Sequence, residues 1–246
     1  MRNSAAGGDG TSPQRGIVIA VDGPSASGKS SASRRVARML GLRYLDTGAM
    51  YRALTLWLLR RNVPVDDPAA VARYARDPVI GLGTDPDAPW VTLDGEDVSA
   101  AIRSREVSGA VSAVARVPQV RAHLIALQRE IIARARAEAR GIVAEGRDIG
   151  TVVAPDALVK VFLTASEAAR ARRRTADLAG DPAVTVAVTQ ADQARRDRMD
   201  APQMRKADDA VEIDSTRFGL DEVVNLIADL ACERAGLPGA ARTARR

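Results

Sequence analysis

Histidine and cysteine are almost missing from this chain of 246 residues, which holds one of each, His123 and Cys232. A disulfide within the chain is therefore impossible, and a Cys/His metal site or a Ser/His triad lacks its residues. Cys232 is read as a core residue of the last helix and His123 as part of a polar helix. Aromatic residues are scarce as well: two Trp, three Tyr and two Phe are too few for a base-stacking surface of the kind that single-stranded nucleic-acid binders use. No apolar run reaches the ~18 residues of a membrane helix, and MRNSAAGGDGTSPQ at the amino terminus lacks the apolar segment of a signal peptide. The expectation is a cytoplasmic protein with no membrane association.

A sequence pI near 9.9 invites a nucleic-acid reading, so the charge has to be located. Residues 1–15 carry Arg2 and Arg15 against Asp9, and residues 237–246 carry Arg242, Arg245 and Arg246, so of the net +5 only about +1 belongs to residues 16–236. The basic character sits in the tails, and no nucleic-acid partner is expected for the body. Hydrophobic residues at 46% are ordinary for a globular chain, and the length suits one α/β domain with an insert.

What is present is most explicit between Gly16 and Ser31, GIVIAVDGPSASGKSS. Ile17 to Val21 form an apolar run without polar alternation, as expected of a parallel strand buried on both faces. Gly23-Pro24-Ser25-Ala26-Ser27-Gly28-Lys29-Ser30 fits the phosphate-loop pattern G-x-x-x-x-G-K-[ST] at every fixed position. The spacing of Val36, Met39 and Leu40 predicts a helix behind it, with Gly41 as its stop. The glycines let successive backbone N–H groups point at a polyphosphate, and the helix adds the positive end of its dipole. Lys29 would reach the β and γ phosphates, and the Ser30 hydroxyl would ligate the accompanying Mg²⁺.

Residues 1–15 read as a disordered leader and 236–246 as a basic disordered tail. Asp46 or Thr47 caps a helix running to Asn62, and Asp67-Pro68 starts another that ends before Pro78. From 75 to 105 the character changes. Trp90 to Leu93, Asp94-Gly95 and Glu96 to Val98 read as a hairpin, an antiparallel patch that does not belong to a parallel sheet and is therefore an insert. Helices return at Glu106 to Ala115 and from Pro118 to Gly141. Strands follow at Ile142 to Ala144, Val159 to Leu163 and Val211 to Ile213, and an apolar stripe from Leu220 to Leu230 marks a closing helix.

Polar clusters stand just after these strands: the phosphate loop, Asp46 to Arg52, and Glu145 to Thr151. In a parallel sheet the carboxyl ends of strands border one crevice, so the clusters would share a ligand. Arg52 and Arg147 become candidate phosphate clamps, with a salt bridge or a solvated arginine as the plainer alternative. Arg170, Arg172, Arg173 and Arg174 on one helix, with Arg195, Arg196 and Arg198 on another over 183–198, are either a wet helix face or a lid joined through Leu178 to Pro182.

Taken in order, VDGPSASGKSS, YLDTGAMYR, DGEDVS with IRS, VSAVARVPQVR, EGRDIGTVV and ADDAVEIDST give residues 16 to about 235 a clear resemblance to the bacterial cytidylate kinases. The resemblance implies a P-loop parallel sheet flanked by helices, with a core over 16–74 and 106–235. It implies a small mixed α+β nucleotide-monophosphate-binding insert at 75–105 and a helical lid over about 175–205. It implies transfer of the ATP γ-phosphoryl to CMP or dCMP with Mg²⁺, in a monomer. Carried over by position, Lys29, Arg147 and Arg196 are the catalytic residues. The phosphate loop from Gly23 to Ser31, with Arg173, would take ATP. Thr47, Arg52 and Arg147 would hold the CMP phosphate, Ser112, Arg121 and Asp148 would meet cytosine, and Asp200 the ribose. A carboxylate can accept from the exocyclic amine that distinguishes cytosine from uracil. After Arg196-Asp197 and Asp200 the chain departs from the family, because Gln203 stands where a phosphate-binding arginine is usual. Either Arg205 substitutes or turnover is weakened. Another P-loop small-molecule kinase is the alternative enzyme reading, and a nucleotide-dependent nucleic-acid binder the alternative outside it.

Overall fold

An apolar run buried on both faces belongs at the centre of a sheet, and strand β1 (Val18–Asp22) occupies that place. The computed structural model describes residues 16–138, 140–177 and 186–237. The leader, the segment proposed to join the lid helices and the last nine residues therefore lie outside the described residues. In chain order β1 is followed by α1 (Lys29–Met39), β2 (Arg43–Asp46), α2 (Thr47–Arg60) and α3 (Pro68–Arg73). Three short strands come next, β3 (Ile80–Leu82), β4 (Val91–Leu93) and β5 (Glu96–Asp97), then α4 (Arg105–Ala115) and α5 (Pro118–Ala137). The remainder is β6 (Ile142–Gly146), a π-helical turn Ile149–Val153, β7 (Val159–Thr164), α6 (Glu167–Asp177), α7 (Val186–Asp200), β8 (Val211–Asp214) and α8 (Leu220–Arg234).

The main sheet has the order β2-β6-β1-β7-β8, and every pairing in it is parallel. Alternation along β1 divides the core between its two faces. Val18 and Ala20 join one cluster with residues of α2, α4 and α5, including Leu54, Leu58, Val111 and Leu124. Ile17, Ile19 and Val21 join the other with Val36 of α1 and Val224 and Ile227 of α8. Cys232 packs in that second cluster, as expected for it.

The expected insert is a three-stranded antiparallel sheet, β3-β4-β5, turning through Asp94 and Gly95, both with positive φ. It is tied to the body by polar contacts: Tyr44 N donates to Thr84 O, Arg34 Nε to Pro86 O at 2.5 Å and Trp57 Nε1 to Asp94 at 2.9 Å.

Among the boundaries that differ from expectation, three have a local reason. The third large strand does not stop at Ala144, because its parallel register with β1 and β2 continues through Glu145 and Gly146. Helix α5 ends at Ala137 rather than at Gly141, whose missing Cβ lets Ile17 O approach to 2.6 Å of where that carbon would be. Gly236, at φ 68°, ends α8 in a left-handed turn, and Leu237 N donates to Cys232 O at 2.8 Å while its side chain packs on the core. Those two residues belong to the helix cap rather than to the tail.

Candidate active site

The carboxyl ends of β1, β2 and β6 open onto a cavity of about 520 Å³. Lys29, six arginines and four carboxylates line it, so the site is built for an anion.

Its floor is the phosphate loop between β1 and α1. Gly23 approaches β7 so closely that a Cβ there would lie 2.1 Å from Leu163 O. Gly28 (φ 96°) and Ala26 (φ 59°) both turn left-handed, and Ala26 does so at a steric cost that a glycine would avoid. These turns leave the first amides of α1 facing the cavity. Lys29 is buried at the head of that helix, with Nζ donating to Pro24 O at 2.6 Å. Burial, reinforced by the Arg147 charge, holds its ammonium well below the usual lysine pKa.

Glu145 is also buried, and Tyr44 Oη donates to its Oε1 at 2.5 Å. Burial and then the neighbouring Asp46 push its carboxyl above the usual range, against the pull of Lys29 and of hydrogen bonds from Tyr44 and Ser30. Thr47 Oγ1 donates to Glu145 O at 2.7 Å, and a Cβ on Gly146 would lie 2.6 Å from that hydroxyl. Asp46 resolves the capping question by accepting from Ala49 N at 2.9 Å; its other oxygen pairs with Arg103 at 2.6 Å.

The residues assigned to the acceptor half lie across this floor. Arg147 donates from Nη1 to Gly23 O at 2.6 Å and from Nε to Asp200 Oδ2 at 3.0 Å. Asp148 pairs with Arg121. Arg52 Nη1 donates to Ile102 O at 3.0 Å and to Ser108 Oγ at 2.9 Å, and burial, followed by the Arg196 charge, lowers its pKa to about 9. Such depression records how many cations crowd a poorly solvated space, a cost that a bound polyanion relieves. Arg196 is lowered to about 10 for the same reasons, burial first and Arg147 second. Ser112 Oγ is buried with no hydrogen-bond partner and lines the cavity.

The arginines of the two helices include a pair with a task not foreseen for them, bracing the phosphate loop. Arg170 is buried and braces the loop, donating to Ser25 O at 3.2 Å and to Asp197 at 2.5 Å. Arg173 likewise holds Ser27 O at 3.2 Å and Ser215 O at 2.6 Å, behind the loop rather than on the cavity lining. Arg174 and Arg196 reach the cavity, whereas Arg172, Arg195 and Arg198 are exposed. Gln203 lines the cavity and Arg205 does not; the Arg205 side chain is 82% exposed and sits 4.0 Å from Asp208. The substitution of Arg205 for a lid arginine is thus absent from this arrangement.

Two lining or bordering residues, Asp22 and Arg103, carried no role in the sequence, and two more, Glu145 and Arg174, were read only as members of a polar cluster and of a charge run. For the two acids a signal existed, since a carboxylate ending an apolar buried strand must find partners. Among the described residues no helix is long and apolar enough to cross a membrane, and no cluster of three acidic, His or Cys ligands occurs.

A central strand running into a phosphate loop with its lysine, a helix opening there, and a second cation set across the same cleft define a P-loop nucleotide kinase. The sequence profile of the cytidylate kinases matches residues 19–233. The cytidylate kinase of Streptomyces griseus is 51% identical over 216 residues, covering 87% of this chain and 92% of that protein. That of Rhodococcus opacus is 50% identical over 230 residues, covering 90% and 97%, and that of Corynebacterium diphtheriae 45% over 223, covering 89% and 95%. The chain belongs to the cytidylate kinase family.

Proposed function

We propose that this protein transfers the γ-phosphoryl group of ATP to CMP or dCMP, releasing ADP and the nucleoside diphosphate. The observation carrying this reading is that Lys29 and the phosphate loop share one cavity with Arg147 and Asp148, so donor and acceptor sets face each other. Thr47, Arg52 and Arg147 hold the acceptor phosphate, Ser112, Arg121 and Asp148 read the base, and Asp200 takes the ribose. Lys29 holds the donor phosphates, and Arg196 supplies charge where the transferring group lies.

No general base is required. A phosphate monoester has a second pKa near ~6, so the attacking oxygen is mostly deprotonated at neutral pH. The chain contributes position and positive charge, and the phosphoryl group moves as the bond to the ADP oxygen breaks and the bond to the CMP oxygen forms. The residues fit Mg²⁺: Ser30 presents a hydroxyl at the loop's end, hydrogen-bonded to Glu145, and a hard, largely hydrated cation needs only such oxygen donors. Bound there, Mg²⁺ would neutralise donor phosphate charge. A cytoplasmic location, where nucleotide substrates are at hand, is part of the same reading, as is a monomeric state.

A coupled ADP-release assay with CMP, dCMP, UMP and AMP tests the assignment. Turnover of CMP or dCMP should exceed that of AMP by at least ~100-fold in kcat/KM, as expected where buried polar groups would be left unpaired. Equal or better turnover of AMP would overturn it.

A further inference from the structure

Asp22 is the last residue of β1, immediately ahead of the phosphate loop, and it is 5% exposed. Its two oxygens are both spoken for: Oδ1 accepts from Ile149 N and Oδ2 from Gly150 N, each at 2.8 Å. Those amides open the π-helical turn that follows Asp148, and the first amides of any helix have no partner within it. On the other flank of Asp148, Arg147 donates to Gly23 O at 2.6 Å. Two consecutive residues, the last of β1 and the first of the phosphate loop, therefore hold both flanks of the segment that carries the proposed base reader. The packing is close, since a Cβ on Gly150 would lie 3.4 Å from Asp22 Oδ2 and 3.2 Å from the Lys160 stem.

A buried carboxylate in this position is costly. Burial raises its pKa to about 6, with Asp148 pushing the same way, while the two amides and Lys29 pull it down. The charged groups around it are Lys29 from α1, Arg147 and Asp148 from the turn, and Lys160 from β7, itself paired with Asp209, while Glu145 stands one register step away on β6, opposite Val21. Neither oxygen bonds to the phosphate loop, and the carboxylate meets Lys29 there only as a charge. What the cost supports is the placement of the turn.

We propose that Asp22 is a positioning residue for acceptor recognition: through the amides of Ile149 and Gly150 it holds Asp148 and Arg147 in register with the phosphate loop. The inference rests on the reading of Asp148 and Arg147 given above.

Asp22→Asn tests it, because the amide keeps the volume but turns one acceptor into a donor facing an N–H. KM for CMP should rise about tenfold and the CMP:UMP ratio of kcat/KM should fall about tenfold, the loss of one hydrogen bond to a charged group, with KM for ATP within about twofold. The double variant D22N/D148N should discriminate no worse than D148N alone, since Asp22 acts through Asp148. In the wild type, protonation of Asp22 mimics the variant, so KM for CMP should climb as pH falls through about 6 more steeply than in D22N. The two enzymes share the protonation of the CMP phosphate, so the difference isolates Asp22. Where D22N folds poorly, Asp22→Ser, which keeps one acceptor oxygen without the buried charge, carries the same comparison. If KM for ATP rises as much as KM for CMP, or the D22N and D148N losses of selectivity add, the proposal is wrong. A wild type that does not prefer CMP to UMP would remove the underlying reading as well, whereas an intact preference with an unaffected D22N overturns the role of Asp22 alone.

Discussion

If Asp148 reads the cytosine ring as proposed, replacing it by Asn should leave the enzyme indifferent to the base. Asp148 is buried beside Arg121, which fixes one of its oxygens and leaves the carboxylate edge toward the cavity. An ionised carboxylate offers only acceptors, so it takes the cytosine amine and repels the uracil carbonyl at the same position. Asn keeps the volume and can rotate its amide to donate to uracil, so the variant loses on CMP and gains on UMP. A charge-assisted hydrogen bond is worth roughly 1.5–3 kcal/mol. Its loss lowers the CMP:UMP ratio of kcat/KM by about 10- to 150-fold at 1.4 kcal/mol per decade. Arg121 loses its ionic partner in the variant, which would weaken both pyrimidines alike, so the ratio rather than either rate is the readout. Steady-state ADP release with each nucleotide at saturating ATP measures it. A ratio unchanged within threefold would refute the base-reading geometry.

Three further outcomes follow from the same arrangement. Lys29→Met should lower kcat by at least ~100-fold, the scale for removing a preorganised charge from a phosphoryl site, while CMP affinity by calorimetry stays near wild type; retention of a tenth of the activity would contradict it. Because burial depresses the Lys29 pKa, part of the free enzyme is deprotonated there at pH 8, and the ATP polyphosphate, by favouring the cation, should draw in a proton on binding. Calorimetry in buffers of different ionisation enthalpy should show that uptake in the wild type and none in Lys29→Met, and buffer-independent heats in both would refute it. Gln203 lines the cavity whereas Arg205 is exposed, so Gln203→Arg should raise kcat several-fold, and Arg205→Ala should leave it within about twofold; a tenfold loss in the latter would place Arg205 in the working lid.

Much of the site could be read from the chain because its signals are local. The phosphate loop is one unbroken string, Arg147 and Asp148 stand directly after a strand, and Arg52 lies in the second turn of the helix that follows another, at the edge of the sheet where such folds bind ligands. Contacts that link distant segments left fainter marks. Asp22 grips amides 127 and 128 residues away, and nothing in VDG announces which backbone it will meet. Glu145 was expected beyond its strand, because periodicity sees the apolar residues Ile142 to Ala144 but not the ladder that carries two more residues. The π-helical turn is a geometry that the apolar pattern of IGTVV does not distinguish from a loop. For the arginines of α6 and α7 a shared charge run hid two tasks: Arg170 and Arg173 fasten the loop from behind, while Arg174 and Arg196 enter the cavity.

The most direct test of the account is a crystal structure of the enzyme with CMP and a non-hydrolysable ATP analogue bound together. The account predicts the cytosine amine within hydrogen-bonding distance of Asp148, the CMP phosphate on Arg52 and Arg147, and the γ-phosphate on Lys29 in line with it. CMP bound outside this cavity, or seated in it with Asp148 turned away from the base, would contradict the account.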